Sequence, residues 1–144
     1  MKTLEQERSN YAFECISKIK GESSKKEDSS FEKDVSSLIS KLGTLILTNG
    51  LGNTLAFLFA KGKDHHLEVI AIISNWLFRQ EGQKEPRFKR DNVKNEIEKI
   101  MGKLVLNATV EQYMYYTEET LRLVNWLRRF SDAMLESGGE NEQG

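Results

Sequence analysis

Residues 44–59, TLILTNGLGNTLAFLF, decide the fold. Asn49-Gly50 between two apolar runs is the strongest short signal for a β-hairpin, and it is also a competent helix break. The flanks discriminate. Upstream, Phe31, Val35, Leu38, Ile39, Leu42, Leu45 and Ile46 form one stripe that enters the segment without a change of period. Downstream, Leu51, Leu55 and Leu58 leave at spacings of four and three, where a strand would require alternation. The segment therefore reads as helix, break, helix, with Gly50 free to adopt positive φ.

Outward from the break the same period persists. Gly62 is placed to end the third helix and Asp64 to cap a fourth. In that fourth helix Leu67, Val69, Ile70, Ala71, Ile72, Ile73, Trp76, Leu77 and Phe78 leave almost no polar face, as in a helix surrounded by others. Residues 79–90 (RQEGQKEPRFKR) carry the single proline and dense charge of both signs, and read as an exposed connection. Val93, Ile97, Ile100, Met101 and Leu104 mark a fifth, amphipathic helix. Thr109 and Gln112 have capping-box spacing and open a last helix running to about Leu135. At the other end Thr3 and Gln6 have the same spacing, and Leu4, Tyr11, Ala12, Cys15, Ile16 and Ile19 predict a first helix over about residues 4–20. Ser29 and Glu32 repeat the pattern before the second helix. Between them residues 21–30 (GESSKKEDSS) offer nothing to bury and read as a mobile loop. Residues 137–144 read as a disordered tail. The expectation is an all-α, compact single-domain bundle of about six helices over residues 1–136.

Charge excludes one route to function. Lys and Arg number 21 and Asp and Glu 22, so net charge does not draw this chain to nucleic acid, and any RNA contact rests on a local patch. The longest charge-free run, residues 42–60, holds three threonines and two asparagines and is too polar for a bilayer span. With one cysteine and no charged-then-apolar leader at its start, the chain is expected to be cytoplasmic.

Few residues invite chemistry. His65 and His66 are adjacent, hence about 100° apart on a helix, and do not face one ion as an i, i+4 pair does; a solvated helix start is the plainer reading, and neither metal nor cofactor is expected. Cys15 lies on the apolar stripe of the first helix, where a thiol behaves as a small hydrophobe. Gly50 and Gly52 lack the Lys-Ser or Lys-Thr of a phosphate-binding loop. On the last helix Glu118, Arg122, Asn125, Arg129, Asp132 and Glu136 form a polar stripe opposite Leu121, Val124, Leu127 and Phe130. It is either a solvated face, with Glu118 and Arg122 as an i, i+4 pair worth about 0.3 kcal/mol, or a local site. In the second case Arg122, Arg128 and Arg129, close to Trp126, meet RNA phosphates or an acidic protein surface. Arg8, Lys18, Lys41, Lys61 and Lys63 carry the same two readings.

Three blocks taken together are distinctive: residues 4–12 (LEQERSNYA), 45–58 (LILTNGLGNTLAFL) and 117–130 (TEETLRLVNWLRRF). They resemble the small subunit of the type III-B CRISPR effector, the Cmr complex or RAMP module. The blocks lie near the start, middle and end, and the central one is the most specific. One departure is Gly43, near which that family often carries a proline. The resemblance implies a non-enzymatic antiviral protein that stacks with copies of itself into a minor filament, beside backbone subunits carrying the guide RNA and near the large subunit, and that helps to hold the guide/target RNA duplex. It implies no catalytic residues and no small-molecule substrate. Arg8, Lys41, Lys61, Lys63, Arg122, Arg128 and Arg129, which occur in or beside the blocks, are then the candidates for RNA or partner contact. Two rivals stand beside this reading: an unrelated cytosolic helical adaptor binding a protein through an apolar face, and an enzyme using His65 or His66.

Overall fold

A computed structural model describes residues 1–26, 30–84, 87 and 90–136, with backbone alone at 23–26 and 90. Among these residues the protein is all-α, with six α-helices and no strand: α1 (Leu4–Lys26), α2 (Ser30–Asn49), α3 (Leu51–Lys61), α4 (Asp64–Leu77), α5 (Val93–Met101) and α6 (Val110–Met134). Short 3-10 turns occupy Arg79–Glu81 and Arg90–Asn92, and a π-helical turn, Gly102–Leu106, follows α5. The chain divides into two compact units, one comprising Met1–Gly43 with Arg122–Gly144, the other Thr44–Leu121.

In the first unit α1 opens with the capping box that its sequence encodes. The Thr3 amide donates to Gln6 Oε1 at 2.8 Å and the Gln6 amide to Thr3 Oγ1 at 3.1 Å. α1 continues to Lys26, beyond the boundary expected near residue 20, so residues 21–26 of the expected loop are helical. Ser30 at the other end of that loop opens α2, and the rest of it, residues 27–29, and the expected tail, 137–144, lie outside the described residues. Ala12, Ile16 and Ile19 of α1 are buried, as are Val35, Leu38, Ile39 and Leu42 of α2. The expected partner of Glu32 in a capping box, Ser29, lies outside the described residues. The buried Glu32 carboxylate accepts from Lys20 Nζ at 3.0 Å and from the Glu136 backbone amide at 2.6 Å. That second bond, together with the close approach of the Val124 side chain to Gly43, runs α2 and α6 antiparallel in this unit. α2 runs unbroken through Gly43.

In the second unit the Asn49-Gly50 pair breaks the helix, as its flanks require. Gly50 has φ 88° and ψ 158°, a region open essentially to glycine, and no side chain caps α3. The free amide of Gly52 finds its acceptor far along the chain, in the Tyr113 hydroxyl at 2.9 Å. Thr54 Oγ1 donates back across the break to the Leu45 carbonyl at 3.1 Å. Gly62 closes α3 in the left-handed conformation, φ 63°, its amide donating to the Leu58 carbonyl. The cap of α4 is Lys63, with Asp64 inside the first turn, one residue away from the expected position. The Lys63 ammonium has no lone pair to offer a backbone amide, and the capping contact runs the other way: His66 Nδ1 accepts the Lys63 amide at 3.3 Å. α4 is buried on nearly every side, from Leu67 through Trp76 and Leu77. At roughly 1.5–3 kcal/mol per fully buried large aliphatic side chain, it is a principal source of this unit's stability. The Trp76 indole donates to buried Glu119 Oε1 at 2.9 Å, so neither polar group is stranded. Of the expected connection, residues 85, 86, 88 and 89 lie outside the described residues, and the Arg87 guanidinium lies 3.1 Å from Glu68 Oε1. α6 starts with its encoded capping box between Thr109 and Gln112.

Candidate functional site

The seven basic candidates separate by unit and by exposure. Arg8 is buried, 5% exposed, and engaged within the chain. Desolvation and its existing contact take it off the accessible surface, so it leaves the list of phosphate contacts. Its sequence neighbours Glu5, Glu7 and Asn10 are all exposed, and nothing in the local pattern distinguished Arg8 from a surface charge.

Lys41, Arg122, Arg128 and Arg129 are exposed and belong to the first unit. The antiparallel register of α2 and α6 puts Lys41 level with the Trp126 stretch, between Arg122 and Arg129 along the helix pair. Arg122 and Arg129 are seven residues apart and share one face of α6, whereas Arg128 is rotated by about 100° from Arg129. Lys41 and Arg122 already hold interactions within the chain. Arg128 and Arg129 form no ion pair among the described residues. Beside them Trp126 stacks on Phe130 at 5.7 Å between ring centroids, and Phe130 meets Phe13 of α1 edge-on at 5.5 Å. The arginines therefore flank an aromatic surface. Asp132 and Glu136 of the same polar stripe are also exposed, which reduces its positive potential toward the C-terminal end.

Lys61 and Lys63 belong to the second unit, on either side of the left-handed Gly62, and both are exposed. Neither forms an ion pair among the described residues. Lys61 Nζ lies 5.4 Å from the centroid of the Phe57 ring. Phe57 is half in solvent at 46% exposure and carries no charge of its own to mark it in the sequence. A signal was nonetheless present, because Phe57 lies off the stripe of Leu51, Leu55 and Leu58 and in i, i+4 register with Asn53 and Lys61.

The histidines have a local occupation. His66 is buried and holds the start of α4, while His65 leans on it with ring centroids 4.0 Å apart. Among the described residues no three His, Cys, Asp or Glu side chains gather as a metal-binding set, and no helix is long and apolar enough to cross a membrane.

A set of exposed apolar side chains also went unread in the sequence. In the second unit Leu47, Leu106, Val110, Met114 and Tyr115 are at least half exposed, Leu106 at 76%. Leu106 ends the π-helical turn, and Val110 and Met114 are one turn apart on α6. Tyr113, between them, reaches the α3 start at Gly52.

A family model described as CRISPR-associated protein (Cas_Cmr5) matches residues 4–134. Among solved structures, the chain is similar to the X-ray crystal structure of a CRISPR-associated Cmr5 family protein from Thermus thermophilus. The TM-score is 0.66 at 23% identity, with 94% of this chain and 100% of that chain covered. The likeness to that structure extends the all-α fold over nearly the whole chain.

Proposed function

The chain belongs to the CRISPR-associated Cmr5 family, is therefore a subunit of a Cmr effector that associates with other Cmr subunits, and on that premise we propose that it is the non-catalytic small subunit that lines the RNA path. In this reading copies of the chain stack into the minor filament beside the backbone and large subunits, in the cytoplasm, and their basic surfaces help to hold the guide/target RNA duplex. Sequence selection stays with guide pairing, because isolated lysines and arginines read phosphates and not bases. The exposed apolar group around Leu106, Val110 and Met114 supports contact with protein, either a further copy or a backbone subunit. Family membership leaves the unrelated adaptor reading behind.

The observation that carries the RNA role is the presence of exposed cations without ion pairs among the described residues, Lys61 and Lys63 in one unit and Arg128 and Arg129 in the other, on a chain of net charge −1. The test is charge reversal of each pair in the reconstituted Cmr complex, with target-RNA affinity measured across salt concentrations. Each reversed pair that faces phosphates is expected to weaken binding and to lower the salt slope by about 1–2. Unchanged affinity, slope and assembly for both pairs would overturn the RNA role. For the enzyme alternative, the double variant His65→Ala/His66→Ala is expected to keep every activity of the assembled complex, and loss of one activity in a correctly assembled complex would reinstate it.

A further inference from the structure

We infer that Asn53, Phe57 and Lys61 on the outer face of α3, together with Lys63 beyond the Gly62 turn, form a stacking site for an unpaired nucleotide of single-stranded RNA. The inference rests on the reading above that this chain contacts RNA, and amends it at this one surface, which accepts an unpaired stretch in place of the duplex.

The three α3 residues follow one another at i, i+4 and i+8. An amide, an aromatic ring and an ammonium thus line one helix face in steps of about 6 Å. All three are exposed, the intervening outer positions Ala56 and Ala60 are exposed and small, and the ring itself is half in solvent. Burial does not account for Phe57: Leu51, Leu55, Leu58 and Phe59 of the same helix are buried, and Phe57 is turned away from them. The charge pattern selects the occupant. From residue 42 to residue 60 there is no acidic side chain to repel a phosphate, the two charges that follow are Lys61 and Lys63, without ion pairs among the described residues, and the exposed Asp64 at the start of α4 is the first acid beyond them. An apolar protein partner would gain from the ring but not from two desolvated lysines. A polyanion with exposed π-faces gains from both, the combination on which sequence-tolerant single-strand sites are built. A duplex keeps its bases stacked on one another and offers this ring only its backbone. The Lys61 ammonium sits near the outer limit of a cation–π contact, at 5.4 Å, and an exposed contact of that length is readily exchanged for a phosphate. Asn53 carries both a donor and an acceptor to meet a base edge or a 2′-hydroxyl.

The test uses the full chain at low salt with a twelve-nucleotide single-stranded RNA carrying 2-aminopurine, whose fluorescence falls on stacking, and the blunt duplex of the same sequence. The wild-type chain is expected to bind the single strand more tightly than the duplex and to quench the probe. Phe57→Leu, which keeps the apolar bulk and removes the π-face, is expected to weaken single-strand binding about tenfold and abolish the quench, while Phe57→Trp preserves both. Because Phe57 is half exposed, both variants are expected to melt within a few degrees of wild type. Wild-type binding and quench in Phe57→Leu would overturn the stacking site, as would no single-strand binding by the wild-type chain. If Phe57→Leu is silent but Lys61→Glu/Lys63→Glu still weakens RNA binding, stacking fails and the basic-surface reading survives. If neither variant changes binding here or in the reconstituted complex, both fall. Loss of complex assembly in Phe57→Leu with unchanged RNA affinity would make the ring a protein contact and likewise overturn the inference.

Discussion

The two helix breaks of the second unit use glycine for different ends. At Gly62 everything needed is local: a left-handed residue, a bond back to Leu58 and an imidazole one turn ahead that accepts the Lys63 amide. At Gly50 the backbone takes a conformation that side chains reject, and the amide of Gly52 in the first turn of α3 is satisfied by the Tyr113 hydroxyl, sixty-one residues along the chain. A Cβ on the neighbouring Gly52 would lie 2.8 Å from Val105 Cγ2, so the π-helical turn closes over the same spot. The Gly50 break is bounded by tertiary contacts and is fully committed to structure. The Gly62 break is self-contained and leaves its two lysines without ion pairs among the described residues and the Phe57 ring half exposed, which is why the proposed stacking site lies at one break and not at the other.

Substitutions that exchange the roles of the two glycines test this contrast most directly. Gly50→Ala is expected to cost about 3 kcal/mol, because φ 88° with ψ 158° belongs essentially to glycine. For a domain of this length that is roughly 10 °C of Tm by calorimetry. Gly52→Ala is expected to cost about 2 kcal/mol through overpacking, and the double variant Gly52→Ala/Val105→Ala to recover part of it; additive losses in the double variant would show that Val105 is not the obstacle. Gly62→Ala is expected to cost about 1–2 kcal/mol for a side chain in the left-handed region, with Gly62→Asn close to wild type in the same melt. A larger effect at Gly62 than at Gly50 would invert the comparison. Tyr113→Phe removes one hydrogen bond and is expected to cost about 1 kcal/mol, seen also as faster amide exchange at Gly52.

Much of the Gly62 break was legible, and little of the Gly50 break beyond its existence. The Asn-Gly pair, the unbroken stripe before it and the spacing after it were enough to choose helix over hairpin, since periodicity is carried by every residue of the segment. That Tyr113 would supply the acceptor for Gly52 had no local signature, because a hydroxyl sixty-one residues away leaves no trace in the pattern around residue 52. Glu32 shows the same limit. Nothing in its local spacing announced that its carboxylate would accept from Lys20 and the Glu136 amide, as a buried acid must find charged and amide donors wherever they lie. Asp64 missed the cap by one residue for a milder reason: Asp is favourable both at the cap and in the first turn, where it meets the positive end of the helix dipole.

For the candidate contacts the limit lay in exposure. Sequence supplied the charges, and could not tell Arg8, which is buried and engaged, from Lys61 and Lys63, which are exposed. Nor did it show that Leu47, Leu106, Val110 and Met114 face solvent, since an apolar residue on a helix is ordinarily read as core.

The sequence by itself determined the all-α class, the helices and the capping boxes at Thr3 and Thr109, because these depend on spacing within a turn or two of the chain. Its three blocks also carried the family. The tertiary structure alone decided which polar groups serve the fold and which are left over for partners. That division depends on burial and on donors and acceptors brought together from distant positions, as Tyr113 with Gly52 and Glu32 with Glu136 are, and local periodicity holds no record of either.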